Sequence, residues 1–136
     1  DGSPNIAKNI FTHEFIAEPS NTLADSIAVD IPRNFYMTRN FILKYHGEAV
    51  IVSDDEILKA SNNLCKNYGI FSEPAAAAAF AGFSKYLKFN KIQNNSRVLV
   101  LLTGSGLKDL QSVQSLINLP DAVKPDLNAI EKLLNL

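Results

Sequence analysis

The sequence is poor in the residues that stabilise small secreted proteins or bind metal ions. One cysteine in 136 residues excludes an internal disulfide framework, and two distant histidines give no zinc-ligand spacing. Met37 is the single methionine, so Asp1 is not a translational start, and no charged segment followed by an apolar one predicts a signal peptide. We expect a processed chain or a piece of a longer protein from a reducing compartment, the cytoplasm.

Charge of one sign and long apolar runs are also lacking. Thirteen Lys and Arg residues nearly balance fourteen Asp and Glu residues, which disfavours binding to nucleic acid or to an anionic membrane surface. No apolar run reaches the length of a membrane span. The hydrophobic fraction of 46% is enough for a buried core, so we predict one domain over residues 1–136.

Apolar runs alternate with helical patterns along the chain. Residues 26–30, 48–52 and 97–102 read as strands, and the last run is typical of a parallel sheet. Helices are expected at 5–11, 34–46 and 53–68, from Pro74 onward, from about Leu107, and after Pro120 and Pro125. Gly47 is expected to end the second helix, and a Ser53–Glu56 capping box to begin the third. Asp126 is the expected cap of the last helix. Strands separated by helices predict parallel βαβ units in an α/β fold.

Ligands of parallel sheets bind outside the carboxyl ends of the strands. This rule singles out residues 25–26, 72–73 and 103–106. In the last of these, a strand ends in Thr103, and two glycines let the backbone approach a neighbour closely before a helix begins. A ligand contact and a locally satisfied turn both explain that pattern. Glu73, just before Pro74, fits either a carboxylate beside a ligand or a favourable interaction with the helix dipole.

Other reactive side chains have simpler explanations. Asp54, Asp55 and Glu56 belong to the start of a capped helix rather than to a pair of catalytic carboxylates. Cys65 lies on the apolar side of the same helix, beside Tyr68, and is interpreted as a small core residue. No Ser, His and acid spacing suggests a catalytic triad, and no metal site is predicted.

Four strings carry a family resemblance: NTLADSIAVDIPRN (21–34), VSDDEIL (52–58), GIFSEPAAAAAFAG (69–82) and LLTGSGLKD (101–109). In this order and spacing they resemble the C-terminal part of the threonine synthases, pyridoxal-phosphate enzymes of fold type II. The resemblance implies a three-layer α/β fragment of the larger domain, with a small, mostly parallel sheet flanked by helices. It covers residues 1–110 as a family-like core and leaves 111–136 as a helical tail.

The resemblance also implies roles for four residues in binding pyridoxal phosphate. Thr103 would form a hydrogen bond with the pyridine nitrogen, and Gly104 would lie beside it. Glu73 would lie near the ring, and the backbone around Ser26 would line the same pocket. Asparagine or histidine is commoner in the family where this chain has Ser105, which leaves the details of substrate binding open.

The implied reaction converts O-phosphohomoserine and water into threonine and phosphate. The family's Schiff-base lysine, glycine-rich phosphate loop and most substrate contacts would precede this segment, because no lysine here lies in a matching motif. We therefore expect this segment alone to be inactive and its partner to be the rest of the same polypeptide, with a second copy as a further candidate. A threonine or serine dehydratase and a non-catalytic α/β binding domain are the alternatives, which the upstream sequence would distinguish.

Overall fold

The computed structural model describes residues 1–114 and 122–134. Within these residues the chain forms six α-helices and two short 3₁₀ turns: α1 (Asn5–Asn9), the turn Asp25–Ile27, α2 (Phe35–Lys44), α3 (Asp54–Tyr68), α4 (Pro74–Lys88), the turn Gly106–Lys108, α5 (Leu110–Val113) and α6 (Leu127–Leu134). The helices predicted at 5–11, 34–46, 53–68 and from Pro74 are present, and α3 and α4 form the main packed pair.

The start and end of α3 follow from its sequence. The Ser53 hydroxyl accepts a hydrogen bond from the Glu56 N–H at 3.2 Å, and the Glu56 carboxylate accepts one from the Ser53 N–H at 2.8 Å. This reciprocal pair satisfies two N–H groups that have no partner inside the helix. Gly69 ends the helix with φ of +66°, a conformation that glycine adopts without strain. The predicted capping box and the predicted end at Tyr68 are confirmed.

Small residues let α3 and α4 approach closely. Pro74 occupies the first turn of α4, where its missing N–H removes no helical hydrogen bond. The buried core joins both helices to the segments before them, through Ala24, Val52, Ile57, Ala60, Ala77 and Ala81. The apolar stretch 75–83 of α4 is covered on most sides, as its composition predicts, and only Ala79 is exposed. The core therefore depends on the α3–α4 contact.

The predicted strands do not form in the described part of the chain. Residues 25–27 close a 3₁₀ turn instead, in which the Ile27 N–H donates to the Ala24 carbonyl at 3.0 Å. Residues 48–50 and 98–101 line one hollow along α4, with Val50 against Gly82, but neither run is paired in a ladder. A strand needs hydrogen bonds from a neighbouring strand, and these runs have none here. The described part of the chain is helical, so the parallel sheet of the expected α/β fold is not formed within it.

Three smaller expectations need correction. Cys65 is exposed, and Tyr68 is 65% exposed although its ring packs edge-on against Phe80 of α4. The buried face of α3 carries Ile57 and Leu64 instead. At the end of α2 the residue with positive φ is His46 rather than Gly47. The Gly47 N–H instead donates to the Ile42 carbonyl at 2.7 Å, which closes the helix end.

The described part of the C-terminal segment contains α5 and α6. The Asp126 carboxylate accepts from the Ala129 N–H at 3.0 Å at the start of α6, as predicted for its cap. The helix expected from Leu107 is divided into a 3₁₀ turn and α5. The predicted break at Pro120 lies outside the described residues. None of the described helices is long and apolar enough to span a bilayer.

Candidate functional site

Two of the sequence-predicted places are joined by backbone hydrogen bonds. The Glu73 N–H donates to the Gly104 carbonyl at 3.1 Å, and the Gly106 N–H donates to the Phe71 carbonyl at 2.9 Å. These bonds flank an antiparallel bridge between Ser72 and Ser105. The turn before α4 and the turn after residues 97–102 therefore form one structural unit, here called the bridged site (residues 71–73 and 103–106).

The alternation of side chains across this bridge explains its two glycines. Side chains of opposed residues emerge on the same face, and successive residues alternate between faces. Gly104 therefore faces Glu73, and a Cβ built on Gly104 would overlap the Glu73 carboxylate. A Cβ on Gly106 would lie 2.6 Å from the Phe71 ring. The close approach expected from these glycines is thus an approach to Glu73 and Phe71.

Glu73 is buried at this site. The residue is 8% exposed, and its side chain lies against Gly104 at the N-terminal end of α4. Although Glu73 occupies the N-cap position, its side chain makes no capping hydrogen bond. The helix dipole still favours a carboxylate here. The carboxylate oxygens, however, are not engaged by the first N–H groups of the helix.

Thr103 directly precedes Gly104 and is exposed. In the described part of the chain, the side-chain hydrogen bonds of this turn come from Ser105, which accepts from the Leu107 N–H at 3.3 Å, and from Asp109. None of them involves the Thr103 hydroxyl. The interpretation of Thr103 as a residue that ties the turn locally therefore finds no supporting contact among the described residues.

Ser26 lines a hollow that contains none of the other three predicted residues. It is exposed in the turn Asp25–Ile27, two residues after Ala24, which is buried against α4. The hollow that Ser26 lines also contains Ile27 and Val29, but none of Thr103, Gly104 and Glu73. The structure thus brings Glu73 and Gly104 together with Thr103 beside them, and leaves the position of Ser26 in a shared pocket a prediction.

Sequence reasoning missed one side chain at the bridged site. Ser72 is 1% exposed, and its hydroxyl has no hydrogen-bond partner among the described residues. Its carbonyl accepts a hydrogen bond from the buried Ser61 hydroxyl of α3 at 3.1 Å. A buried hydroxyl without a partner costs about 1–3 kcal/mol, so it needs an explanation. The sequence indicated a turn at 72–73 but contained no signal that Ser72 is enclosed.

Charged pairs lie near the other end of α4. Lys85 contacts the Glu56 carboxylate at 3.1 Å. The hydrogen bond from the Ser53 N–H, which is the largest cause, and the contact with Lys85 hold the pKa of Glu56 below its usual value, although burial acts in the opposite direction. The Tyr86 hydroxyl donates to Glu48 at 2.6 Å, which lowers the pKa of Glu48 and raises that of Tyr86. These pairs connect α4 to its neighbours, away from Glu73.

Comparisons with known proteins agree on one class. A family model described as pyridoxal-phosphate dependent enzyme matches residues 1–104. Curated threonine synthases are similar: one from Halalkalibacterium halodurans is 34% identical over 93% of this chain and 34% of its own length. A threonine synthase from Methanocaldococcus jannaschii is 33% identical over 83% of this chain and 28% of its own length. One from Synechocystis is 37% identical over 82% of this chain and 29% of its own length. The chain spans about a third of the length of the curated relatives it matches.

Proposed function

The chain belongs to the family of pyridoxal-phosphate-dependent enzymes, and on that premise we propose that it is the C-terminal part of a threonine synthase. In this proposal the bridged site is the wall of the cofactor pocket on the pyridine side. The observation that carries it is the bridge itself, which holds the buried Glu73 carboxylate against Gly104, the residue that directly follows the exposed Thr103.

The residues present fit pyridoxal phosphate on this side. The Thr103 hydroxyl is exposed and makes no described hydrogen bond, so it can bind the pyridine nitrogen. Glu73 does not use its carboxylate for helix capping, so the carboxylate would be available to lie near the ring. Gly104 presents backbone without a side chain. The backbone around Ser26 would complete the same pocket.

Bound pyridoxal phosphate supplies a ring that withdraws electrons from the substrate carbon next to it. Thr103 sets how strongly it does so. A neutral hydroxyl does not hold the ring nitrogen protonated as a carboxylate would, so Thr103 moderates the withdrawal. Glu73 and Gly104 orient the ring, because the bridge fixes both relative to α4.

We assign to the complete polypeptide the conversion of O-phosphohomoserine and water to threonine and phosphate, in the cytoplasm. The rest of the polypeptide supplies the lysine that holds the cofactor and the loop that binds its phosphate. It also completes the parallel sheet: residues 48–52 and 97–102 become strands when neighbouring strands pair with them. The exposure of Leu99 (83%) and Leu101 (66%) supports this, because such side chains need a covering layer. A homodimer is a further candidate assembly.

The test is a substrate comparison on the purified complete polypeptide with pyridoxal phosphate. We expect O-phosphohomoserine to yield threonine and phosphate in equal amounts. Threonine and serine, supplied separately, should yield little ammonia and keto acid. Faster release of ammonia and keto acid would identify a dehydratase, and no turnover of any of the three would contradict the assignment.

The 136-residue chain alone provides the matched control. Mixed with pyridoxal phosphate and reduced with borohydride, it should show no stoichiometric pyridoxyl adduct on a single lysine by mass spectrometry, and it should form no threonine. The complete polypeptide should show one adduct, on a lysine outside this segment. A specific, stoichiometric adduct on a lysine of this chain would contradict the proposal.

A further inference from the structure

The enclosed Ser72 hydroxyl remains unexplained by the contacts described above. Ser72 is 1% exposed, and its Oγ forms no hydrogen bond among the described residues. The backbone of Ser72 is held in place, because the Ser61 hydroxyl donates to its carbonyl at 3.1 Å and the bridge holds its neighbour Glu73. A partner must therefore come to Ser72.

Ser105 is the residue placed to provide that partner. The two bridge hydrogen bonds flank Ser72 and Ser105, which makes them a non-hydrogen-bonded antiparallel pair with both side chains on one face. In such pairs the side chains lie closer together than in the alternate pairs, within range of a hydrogen bond between hydroxyls.

The Ser105 hydroxyl is engaged elsewhere in this structure. It accepts from the Leu107 N–H at 3.3 Å, at the start of the turn Gly106–Lys108, and this is a long, local bond. Ser105 is exposed, so a change of rotamer about its Cα–Cβ bond meets little resistance. Such a rotation exchanges the bond to Leu107 for one with Ser72.

We propose that Ser72 is a positioning residue: its hydroxyl hydrogen-bonds Ser105 when the turn at residues 103–105 holds pyridoxal phosphate, and is unpaired otherwise. This proposal rests on the proposed function. Ser72 is enclosed by protein and does not touch the ligand. It acts through Ser105, by fixing the turn that presents Thr103 and Gly104. In this proposal the turn conformation that contacts the ligand is the one that directs Ser105 toward Ser72, so binding favours the paired arrangement, which also satisfies the buried hydroxyl.

The test is a double-mutant cycle in the complete polypeptide with Ser72→Ala and Ser105→Ala. The cycle measures the dissociation constant of pyridoxal phosphate by the change in its absorbance on binding, and the melting temperature without cofactor. Each single variant should weaken binding roughly three- to ten-fold, the effect of one hydrogen bond. The double variant should be no weaker than the weaker single variant, because both substitutions remove the same bond.

The cofactor-free protein gives the second readout. Ser72→Ala should leave the melting temperature unchanged or raise it, because it removes a buried hydroxyl without a partner. Ser61→Ala is the matched control: it removes a buried serine that is bonded, so it should lower the melting temperature and show no coupling with Ser105→Ala.

Each other outcome has a distinct meaning. Unchanged cofactor affinity in Ser72→Ala, or additive effects of the two substitutions, would overturn the role of Ser72 while leaving the proposed function intact. Since Ser105 is exposed, Ser105→Ala folds even if a Ser72 variant does not, and unchanged affinity in Ser105→Ala alone would also overturn it. No binding of pyridoxal phosphate by the unmodified polypeptide would refute both proposals.

Discussion

The bridged site and the apolar runs at 48–52 and 97–102 differ in how far contacts within this chain determine their structure. At the bridged site, the two bridge hydrogen bonds form within this chain, and Gly104 and Gly106 lie against its own Glu73 and Phe71. In the apolar runs, most of the side chains that would fill a core are exposed, Leu99 by 83%, and Val52 is the one that is buried. The first region is determined by contacts this chain makes with itself. The second region has side chains typical of strands, but no neighbouring strand pairs with it among the described residues.

The largest expected effect comes from a charge in an apolar run. Leu99→Lys should change the free energy of unfolding of this chain alone by less than about 0.5 kcal/mol, because Leu99 has little contact to lose. In the complete polypeptide, the same lysine would be buried in the sheet without a partner. We expect it to cost more than about 4 kcal/mol there.

Chemical denaturation of both proteins, each with and without Leu99→Lys, measures this difference. The same substitution in two contexts acts as its own control. Equal effects in the two proteins would mean that residues 97–102 stay exposed in the complete polypeptide. That result would contradict the proposal that these residues form a buried strand there.

Gly104→Ala tests the bridged site within this chain. Its Cβ would overlap the Glu73 carboxylate, so we expect a loss of about 1–3 kcal/mol in the free energy of unfolding. Gly47→Ala is the matched control, since its Cβ would lie 3.4 Å from the nearest atoms, and it should stay within about 0.5 kcal/mol. Glu73→Ala combined with Gly104→Ala should recover part of the loss; strictly additive effects would argue against this contact.

The capping box of α3 is expected to have a smaller effect. Ser53→Ala should lower the free energy of unfolding by about 1 kcal/mol, because the Glu56 N–H loses its acceptor. Ser84→Ala removes an exposed serine whose hydroxyl bonds only the Phe80 carbonyl of its own helix, and it should change little. Equal effects of both substitutions in urea denaturation would contradict the role of the cap.

The pH dependence of this cap has a definite sign. The pKa of Glu56 lies below its ordinary value of 4.5, chiefly because the Ser53 N–H donates to the carboxylate. A lowered pKa in the folded chain stabilises it at pH values above the ordinary pKa, and this contribution disappears as the pH falls through the lowered value. The difference in stability between the unmodified chain and Glu56→Gln should therefore shrink below pH 4.5, and a difference that grows would contradict the assignment.

Helices could be predicted from the sequence because their signals are local. Ser53, Glu56, Gly69 and Pro74 fix the ends of α3 and the start of α4 through contacts within a few residues. Strands at 48–52 and 97–102 were expected from apolar composition alone. A strand also needs a neighbouring strand to form hydrogen bonds with, and composition does not specify one. The same limit explains the misplaced burial of Cys65, whose face of α3 has no partner helix among the described residues.

The site was predictable in part for a related reason. Glu73 and Gly104 could be proposed as neighbours because both lie at turns next to buried segments, and the structure joins them. The enclosure of Ser72 depends on Ser61, eleven residues earlier, and on Ser105 across the bridge. No short-range pattern contains that information. Whether Ser26 shares the pocket stays a prediction.

The most direct test of the central claim, that the bridged site holds the pyridine side of the cofactor, is Thr103→Val in the complete polypeptide. Valine keeps nearly the same volume and removes the hydroxyl. A buried ring nitrogen without a partner should cost about 1–3 kcal/mol, part of it in turnover at saturating pyridoxal phosphate. The account predicts reduced turnover under those conditions, with little change in the melting temperature of the cofactor-free protein. Unchanged turnover with a lowered melting temperature would show that Thr103 only stabilises the turn, and would contradict the claim.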